Sequence, residues 1–289
     1  MYLVSFLEAT PLAFIAVACC LGLIVGSFLN VVVHRLPIML EREWHSHCAE
    51  LSGTQAPVTE PYNLVIPRSR CPHCGHAIGA FENIPVLSYL LLRGRCRACK
   101  ARISPRYLLI EIISGVLSGW LAWHFGFGWP VLGALLLTWA LLALTVIDLE
   151  KQLLPDKITL PILWLGLVFN LGHTFTDVRS ALIGAVAGYL SLWCVYHGFR
   201  LLTGKEGMGY GDFKLYALLG AWLGWQSLPL IILIASAAGA LVGIGLILSR
   251  RVQRGIPIPF GPYLAVAGWI ALLWGPQITR AYLDLMGGA

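Results

Sequence analysis

The stretch "PLAFIAVACCLGLIVGSFLNVVVHRLP", residues 11–37, carries no charged side chain before its closing His-Arg pair at 34–35. Its apolar part is as long as the roughly 20 residues a helix needs to cross the hydrocarbon core of a bilayer. A secretory signal has a similar apolar core, but that core runs for only about 7–15 residues behind a positive flank. Here no lysine or arginine precedes the run, so the expectation is a retained membrane helix.

The rest of the chain repeats this pattern. Of 289 residues, 58% are hydrophobic and 12% charged, against about 25% charged in ordinary soluble domains, and the mean hydropathy is +0.77. Apolar runs fall at about 12–33, 107–124, 130–147, 158–173, 180–200, 212–225, 228–249 and 260–277, the sixth being the shortest. Buried helices of a soluble protein do not account for eight such runs in so short a chain. The expected fold is an all-α polytopic membrane protein with about eight transmembrane helices and a small cytoplasmic zinc-ribbon-like insert. Its parts are a first transmembrane helix at 1–33, a cytoplasmic zinc-binding insert at 34–106 and a seven-helix membrane domain at 107–289.

Charge placement orients the chain. With Met1 outside, all but Arg179 and Arg280 of the 20 lysines and arginines fall on the inner side, as the positive-inside rule requires. Both termini are then periplasmic and 34–106 is cytoplasmic. The same asymmetry accounts for the net charge of +6 without a nucleic-acid partner; anionic membrane lipid is the expected electrostatic contact.

Within the insert, Cys71-x2-Cys74 and Cys96-x2-Cys99 are separated by 21 residues. Two such pairs match a four-cysteine zinc ribbon, in which each pair sits on a tight turn and offers two sulfurs to one tetrahedral ion. A reducing cytoplasm disfavours two structural disulfides. Four thiolates leave no open position for water, so the zinc is expected to be structural and the chemistry to lie elsewhere. His73 and His76 read as bystanders.

Acids against apolar runs are few: Glu111, Asp148, Asp156, Asp177 and Asp212. Ionisable groups at membrane depth are functional candidates. Asp148 closes the third run and Asp212 opens the sixth, 64 positions later, and the topology puts both at the cytoplasmic face. Two carboxyls brought together do not both ionise readily. One can then accept a proton from water while the other protonates a leaving amine. The alternative readings are a proton path in a transporter carrying a zinc module, an N-cap at Asp212 and a span-end marker at Asp148. Asp156 fits an N-cap for the fourth run.

"KEGMGYGDFK", 205–214, sets Gly207, Gly209 and Gly211 before Asp212. Lacking a Cβ, glycine reaches conformations closed to other residues and admits a second backbone, which suits approach of a substrate strand to the acid. The order of residues is not that of a phosphate-binding loop.

Taken together, the blocks "GSFLNVVVHRLP" (26–37), "RSRCPHC" (68–74), "ENIPVLSYLLLRGRCRAC" (82–99), "ISPRYLLIE" (103–111), "IDLEKQLLPD" (147–156) and "GMGYGDFK" (207–214) resemble the bacterial type IV prepilin peptidases, also called leader peptidase/N-methyltransferases. The last block looks like the GxGD signature of intramembrane aspartic proteases. The resemblance implies that Asp148 and Asp212 are the catalytic pair and that Cys71, Cys74, Cys96 and Cys99 bind zinc. It implies an inner-membrane enzyme that cuts basic leaders from type IV prepilins and type II secretion pseudopilins after a glycine. The new amino terminus, usually phenylalanine, is then methylated with S-adenosylmethionine. A peptidase without the second activity is the nearer alternative. No Rossmann-like glycine loop marks a methyl-donor site, which is expected near Glu82, Asn83, Gly94 and Arg95, with Arg106 and Glu111 at the membrane junction.

Overall fold

The computed structural model describes residues 2–54, 61–205, 207–249 and 259–287. It divides into two compact units, residues 1–127 and 128–289. Every apolar run of the sequence is helical. Five helical stretches among the described residues are long and apolar enough to cross a membrane: Pro11–Leu51, Pro105–Phe125, Trp129–Lys151, Val178–Thr203 and Trp225–Leu246.

In the first unit, α1 (Tyr2–Ala9) leads into α2 (Pro11–Leu51), a short α3 (Leu87–Leu91) lies in the insert, and α4 (Pro105–Phe125) closes the unit. The helix α2 runs on to Leu51 rather than ending near 33, through Pro37. The onset of charge that marks the water boundary does not break a helix, and residues 38–51 contain neither glycine nor proline. The partner of α2 is α4, and small residues set their spacing. A Cβ at Gly26 would lie 2.8 Å from the Glu111 Cα and 2.9 Å from the Ser114 Cβ, while the Ser114 hydroxyl donates to the Gly22 carbonyl at 2.6 Å. Close backbone approach with hydroxyl bonds between helices is the association mode available without a hydrophobic drive in lipid.

The second unit contains α5 (Trp129–Lys151), α6 (Asp156–Leu171), α7 (Val178–Thr203), α8 (Tyr210–Leu223), α9 (Leu228–Leu248) and α10 (Gly261–Gly287). With 14 residues, α8 spans about 21 Å, short of a hydrocarbon core of about 30 Å. It is buried nearly throughout, with Phe213, Leu215, Leu218, Leu219, Ala221 and Trp222 fully enclosed, so protein rather than lipid surrounds it.

Four contacts fix α8. Gly184 of α7 and Gly220 meet backbone to backbone, leaving no room for a Cβ on either. The Trp222 indole N–H donates to the Ile162 carbonyl at 2.8 Å, and the Tyr216 hydroxyl to the Leu228 carbonyl at 2.7 Å. At its C-terminus the fully buried Asn170 of α6 donates through Nδ2 to the carbonyls of Ala221 and Trp222, both at 2.9 Å. The Oδ1 atom of Asn170 accepts from the amides of Phe175 and Thr176 at 3.0 and 3.2 Å. One side chain thus satisfies two orphan carbonyls of one helix and two amides of the following turn.

Two acids have structural partners. Asp177 caps α7, accepting from the Ser180 amide at 2.9 Å. Asp156 does not cap α6: Pro155 holds the cap position, and the Asp156 carboxylate instead takes the Lys214 ammonium at 2.7 and 2.8 Å. Proline at the boundary leaves Asp156 inside the first turn, where an acid is favourable against the helix dipole.

Replacing Asn170 by alanine strands two buried carbonyls and two part-buried amides, and a buried polar group left unsatisfied costs about 1–3 kcal/mol. Unfolding of Asn170→Ala in detergent is expected to show a stability loss of about 2 kcal/mol or more; an unchanged transition would contradict the role of this clasp.

Candidate active site and metal centre

Asp148 sits in the last turns of α5 and Asp212 in the first turn of α8, at 5% and 7% exposure. They are close enough for the charge of Asp148 to act on Asp212. Both are embedded in apolar surroundings: Leu144 and Ile147 precede Asp148, Phe213 follows Asp212, and all three are fully buried. The chain brings together the two acids that the topology put at one face.

Backbone shapes the site as much as side chains do. The N–H of Gly209, the residue capping α8, is directed at the Asp212 carboxyl. Gly261, at the start of α10, directs its N–H towards Asp148. A Cβ at Gly261 would lie 2.5 Å from Asp148 Oδ2 and 3.3 Å from Leu154 Cδ1. A Cβ at Gly211 would lie 2.8 Å from the Leu154 Cβ. Leu154 is therefore a shared wall between the glycine stretch, α10 and the end of α5. Asp148 Oδ2 is buried without a hydrogen-bond partner among the described residues, which is exceptional for a carboxylate oxygen.

Gly209 has φ −83 and Gly211 lies inside α8, so neither occupies a left-handed position. The contribution of the three glycines is space: Gly211 against Leu154, Gly207 against the Phe199 ring at 3.1 Å, and Gly209 with its Cβ position 3.7 Å from Asp212 Oδ2. Around them Tyr196, Tyr210 and Phe213 form an aromatic cluster with ring centroids 5.3–5.6 Å apart that anchors the first turn of α8. Sequence reasoning missed Gly261 and Leu154. The "GP" at 261–262 signals a helix start, but nothing in the spacing ties it to Asp148.

In the insert the four cysteines converge. Their sulfurs lie within 4.8 Å of one another, with Cys71–Cys99 at 3.8 Å and Cys74–Cys96 at 4.0 Å. A tetrahedron with metal–sulfur bonds of about 2.3 Å requires sulfurs about 3.8 Å apart, so the cluster fits a metal ion. The two halves are built alike. In one, the Cys71 amide donates to the His76 carbonyl and the Gly75 amide to the Cys71 carbonyl; in the other, Cys96 donates to Ala101 and Lys100 to Cys96, all at 2.8–3.0 Å. Gly75 and Lys100 occupy equivalent left-handed positions, φ +71 and +60. Backbone amides aimed at sulfur, from His73 and Cys74, draw the Cys71 thiol down to about 7; those of Cys99 and Ala98 lower Cys96. Thiolate is the form that binds metal.

Glu82 joins the halves. It accepts from the Gly79 amide at 3.1 Å, meets His76 at 3.1 Å and Arg97 at 3.5 Å. The amide of Gly79 and then His76 and Arg97 hold its carboxyl below the ordinary range. His76 is thus a partner of Glu82 and not a fifth ligand. The Glu111 carboxylate of α4 accepts from the Val86 amide at 2.8 Å, tying the insert to the helix pair beneath it.

Two family models cover most of the chain: the bacterial peptidase A24 N-terminal domain over residues 20–125 and the type IV leader peptidase family over residues 135–244. The chain belongs to the type IV leader peptidase family. Relatives named prepilin leader peptidase/N-methyltransferase include those of Stutzerimonas stutzeri, 59% identical over 97% of this chain and 98% of the relative, and Pseudomonas aeruginosa, 57% identical over 99% of both. A third, from Burkholderia pseudomallei, is 53% identical over 95% of this chain and 88% of the relative. No solved structure matches the chain.

Serine at both Cys71 and Cys74 leaves two thiolates, too few for a closed site. The parent protein is expected to purify with one metal ion per chain, measured by mass spectrometry of the ion, and the double variant to purify without it and to expose the insert to protease. Retention of one metal per chain would refute the assignment.

Proposed function

We propose that this chain is an inner-membrane aspartic endopeptidase and N-methyltransferase. It removes the leader of type IV prepilins and type II secretion pseudopilins at the cytoplasmic face, then methylates the new amino terminus with S-adenosylmethionine. The observation that carries the first activity is the pair of acids Asp148 and Asp212, both buried and near enough for the charge of one to act on the other. Family membership and the printed names of full-length relatives support both activities.

In cleavage, one carboxylate takes a proton from water as the water oxygen attacks the scissile carbonyl carbon. The protonated carboxyl of the pair gives its proton to the departing nitrogen, so that acid and amine products form without a covalent enzyme intermediate. A prepilin presents a basic leader ahead of an apolar helix, and the distribution of lysine and arginine in this chain supports a topology with both termini periplasmic and the carboxyl pair at the cytoplasmic face. Gly209, whose Cβ position meets nothing nearer than Asp212 Oδ2 at 3.7 Å, leaves that flank of the carboxyl clear for a substrate backbone, while Gly207 and Gly211 let Phe199 and Leu154 pack close on either side. Zinc on Cys71, Cys74, Cys96 and Cys99 would hold the insert together. The methyl donor, when bound, supplies an electrophilic methyl group: a nitrogen–carbon bond forms, the sulfur–carbon electron pair stays on sulfur, and the amine loses one proton.

Asp148→Asn and Asp212→Asn are each expected to reduce leader cleavage of a prepilin in detergent by at least about 1,000-fold, read as loss of the mass shift, with insertion and metal content unchanged. Cleavage at the parent rate by either variant would refute the pair. Gly261→Ala, whose methyl group falls on Asp148 Oδ2, is expected to lower the same rate at least about tenfold by displacing the carboxyl; parental cleavage would show that the carboxyl position tolerates that contact.

A further inference from the structure

The first unit holds a cavity of about 590 Å³, within the size range of small-molecule sites. One wall is helical, with Ser27 and Asn30 from α2 and Tyr107 and Glu111 from α4; the facing wall comes from the insert and includes Arg70 and Arg102. Asn30 is only 5% exposed. Its Nδ2 donates to the carbonyls of Gly26 and Tyr107 at 3.3 and 3.0 Å. Because carbonyls cannot donate, those partners fix the amide orientation. The Oδ1 atom is therefore a true acceptor, and among the described residues it is buried with no hydrogen-bond partner.

Glu111 lines the same wall. One of its oxygens accepts from the Val86 amide, and Ser27 bonds the carboxyl from the side, which holds a carboxylate in place facing the cavity. Arg35 also lines the space, and it donates to the Asn63 carbonyl at 2.9 Å. The cavity thus offers an unpaired acceptor and an anchored carboxylate on the helical side, guanidinium groups on the insert side, and the rings of Tyr89 and Tyr107 between apolar neighbours such as Val31 and Ile78. A ligand complementary to this arrangement carries a cation, a carboxylate and an aromatic ring with N–H donors.

We propose that this cavity is the methyl-donor site, with Asn30 Oδ1 accepting an N–H of the donor and Glu111 facing its cationic sulfonium end. The insert arginines take the amino-acid carboxylate. The proposal rests on the methyltransferase reading above and locates that activity on residues outside the Asp148–Asp212 site.

The test uses the full chain in detergent. Radiolabelled S-adenosylmethionine is photo-crosslinked and the labelled peptide mapped, and the affinity for S-adenosylhomocysteine is measured by calorimetry. Glu111→Gln, and Ser88→Trp, which fills the cavity from the insert side, are compared at matched melting temperature and metal content. The label is expected on peptides containing Asn30 or Tyr107, with affinity at least tenfold weaker in both variants. Parental affinity in both variants, or a label outside residues 1–127, would overturn the location while methylation of cleaved prepilin by the parent protein upholds the activity. Absence of both binding and methylation in the parent would overturn the activity and the site together.

Discussion

Two carboxyl groups held together in an apolar interior are the constraint around which the second unit is organised. Burial of one charge is costly, and burial of two of the same sign costs more. Such a pair persists only where the surrounding helices have no easier arrangement. The unit supplies that rigidity through α8, a helix too short for a bilayer and enclosed by its neighbours. Asn170 clasps its C-terminus, the Gly184–Gly220 contact with α7 locks its last turn, and an aromatic cluster anchors its first turn. The result is that Asp212 cannot move away from Asp148 without disturbing contacts along the whole helix. The backbone amides of Gly209 and Gly261 are the polar groups that meet the pair.

The first unit solves a different problem. Its insert is small and has little apolar core of its own, so order comes from cross-links: four converging thiols, the Glu82 bridge between the two cysteine turns, and the Glu111–Val86 contact with α4. Beneath it, α2 and α4 approach through glycine and serine. That close approach places Asn30 and Glu111 on one wall of the cavity, so the packing of the helix pair and the chemistry of the cavity are one feature.

Much of this was legible in the sequence because the physics is local or periodic. Apolar runs of membrane length, paired cysteines at ribbon spacing and scarce acids beside apolar runs each have a single-sequence signature. The helix α2 exceeded its expected end because hydropathy reports the water boundary and not the end of hydrogen bonding. Asp156 was expected to cap α6 and instead binds Lys214, a partner 58 positions away that no local rule identifies. Gly261 and Leu154 were invisible for the same reason: their contacts with Asp148 and Gly211 are tertiary. The glycines at 207, 209 and 211 were expected to offer unusual conformations as well as room, but Gly209 and Gly211 adopt ordinary backbone, and Gly207 and Gly211 are packed against Phe199 and Leu154, contacts that no local spacing announces.

Paired carboxyls that share one chemical step act as one unit, and Asp148 and Asp212 are expected to do so. The direct measurement is a double-mutant cycle on prepilin cleavage, comparing the residual rates of the two single asparagine variants with that of the variant carrying both. Groups that share one chemical step are strongly non-additive, so the double variant is predicted to be no slower than the slower single one. Multiplying losses would show two independent contributions and contradict the shared site.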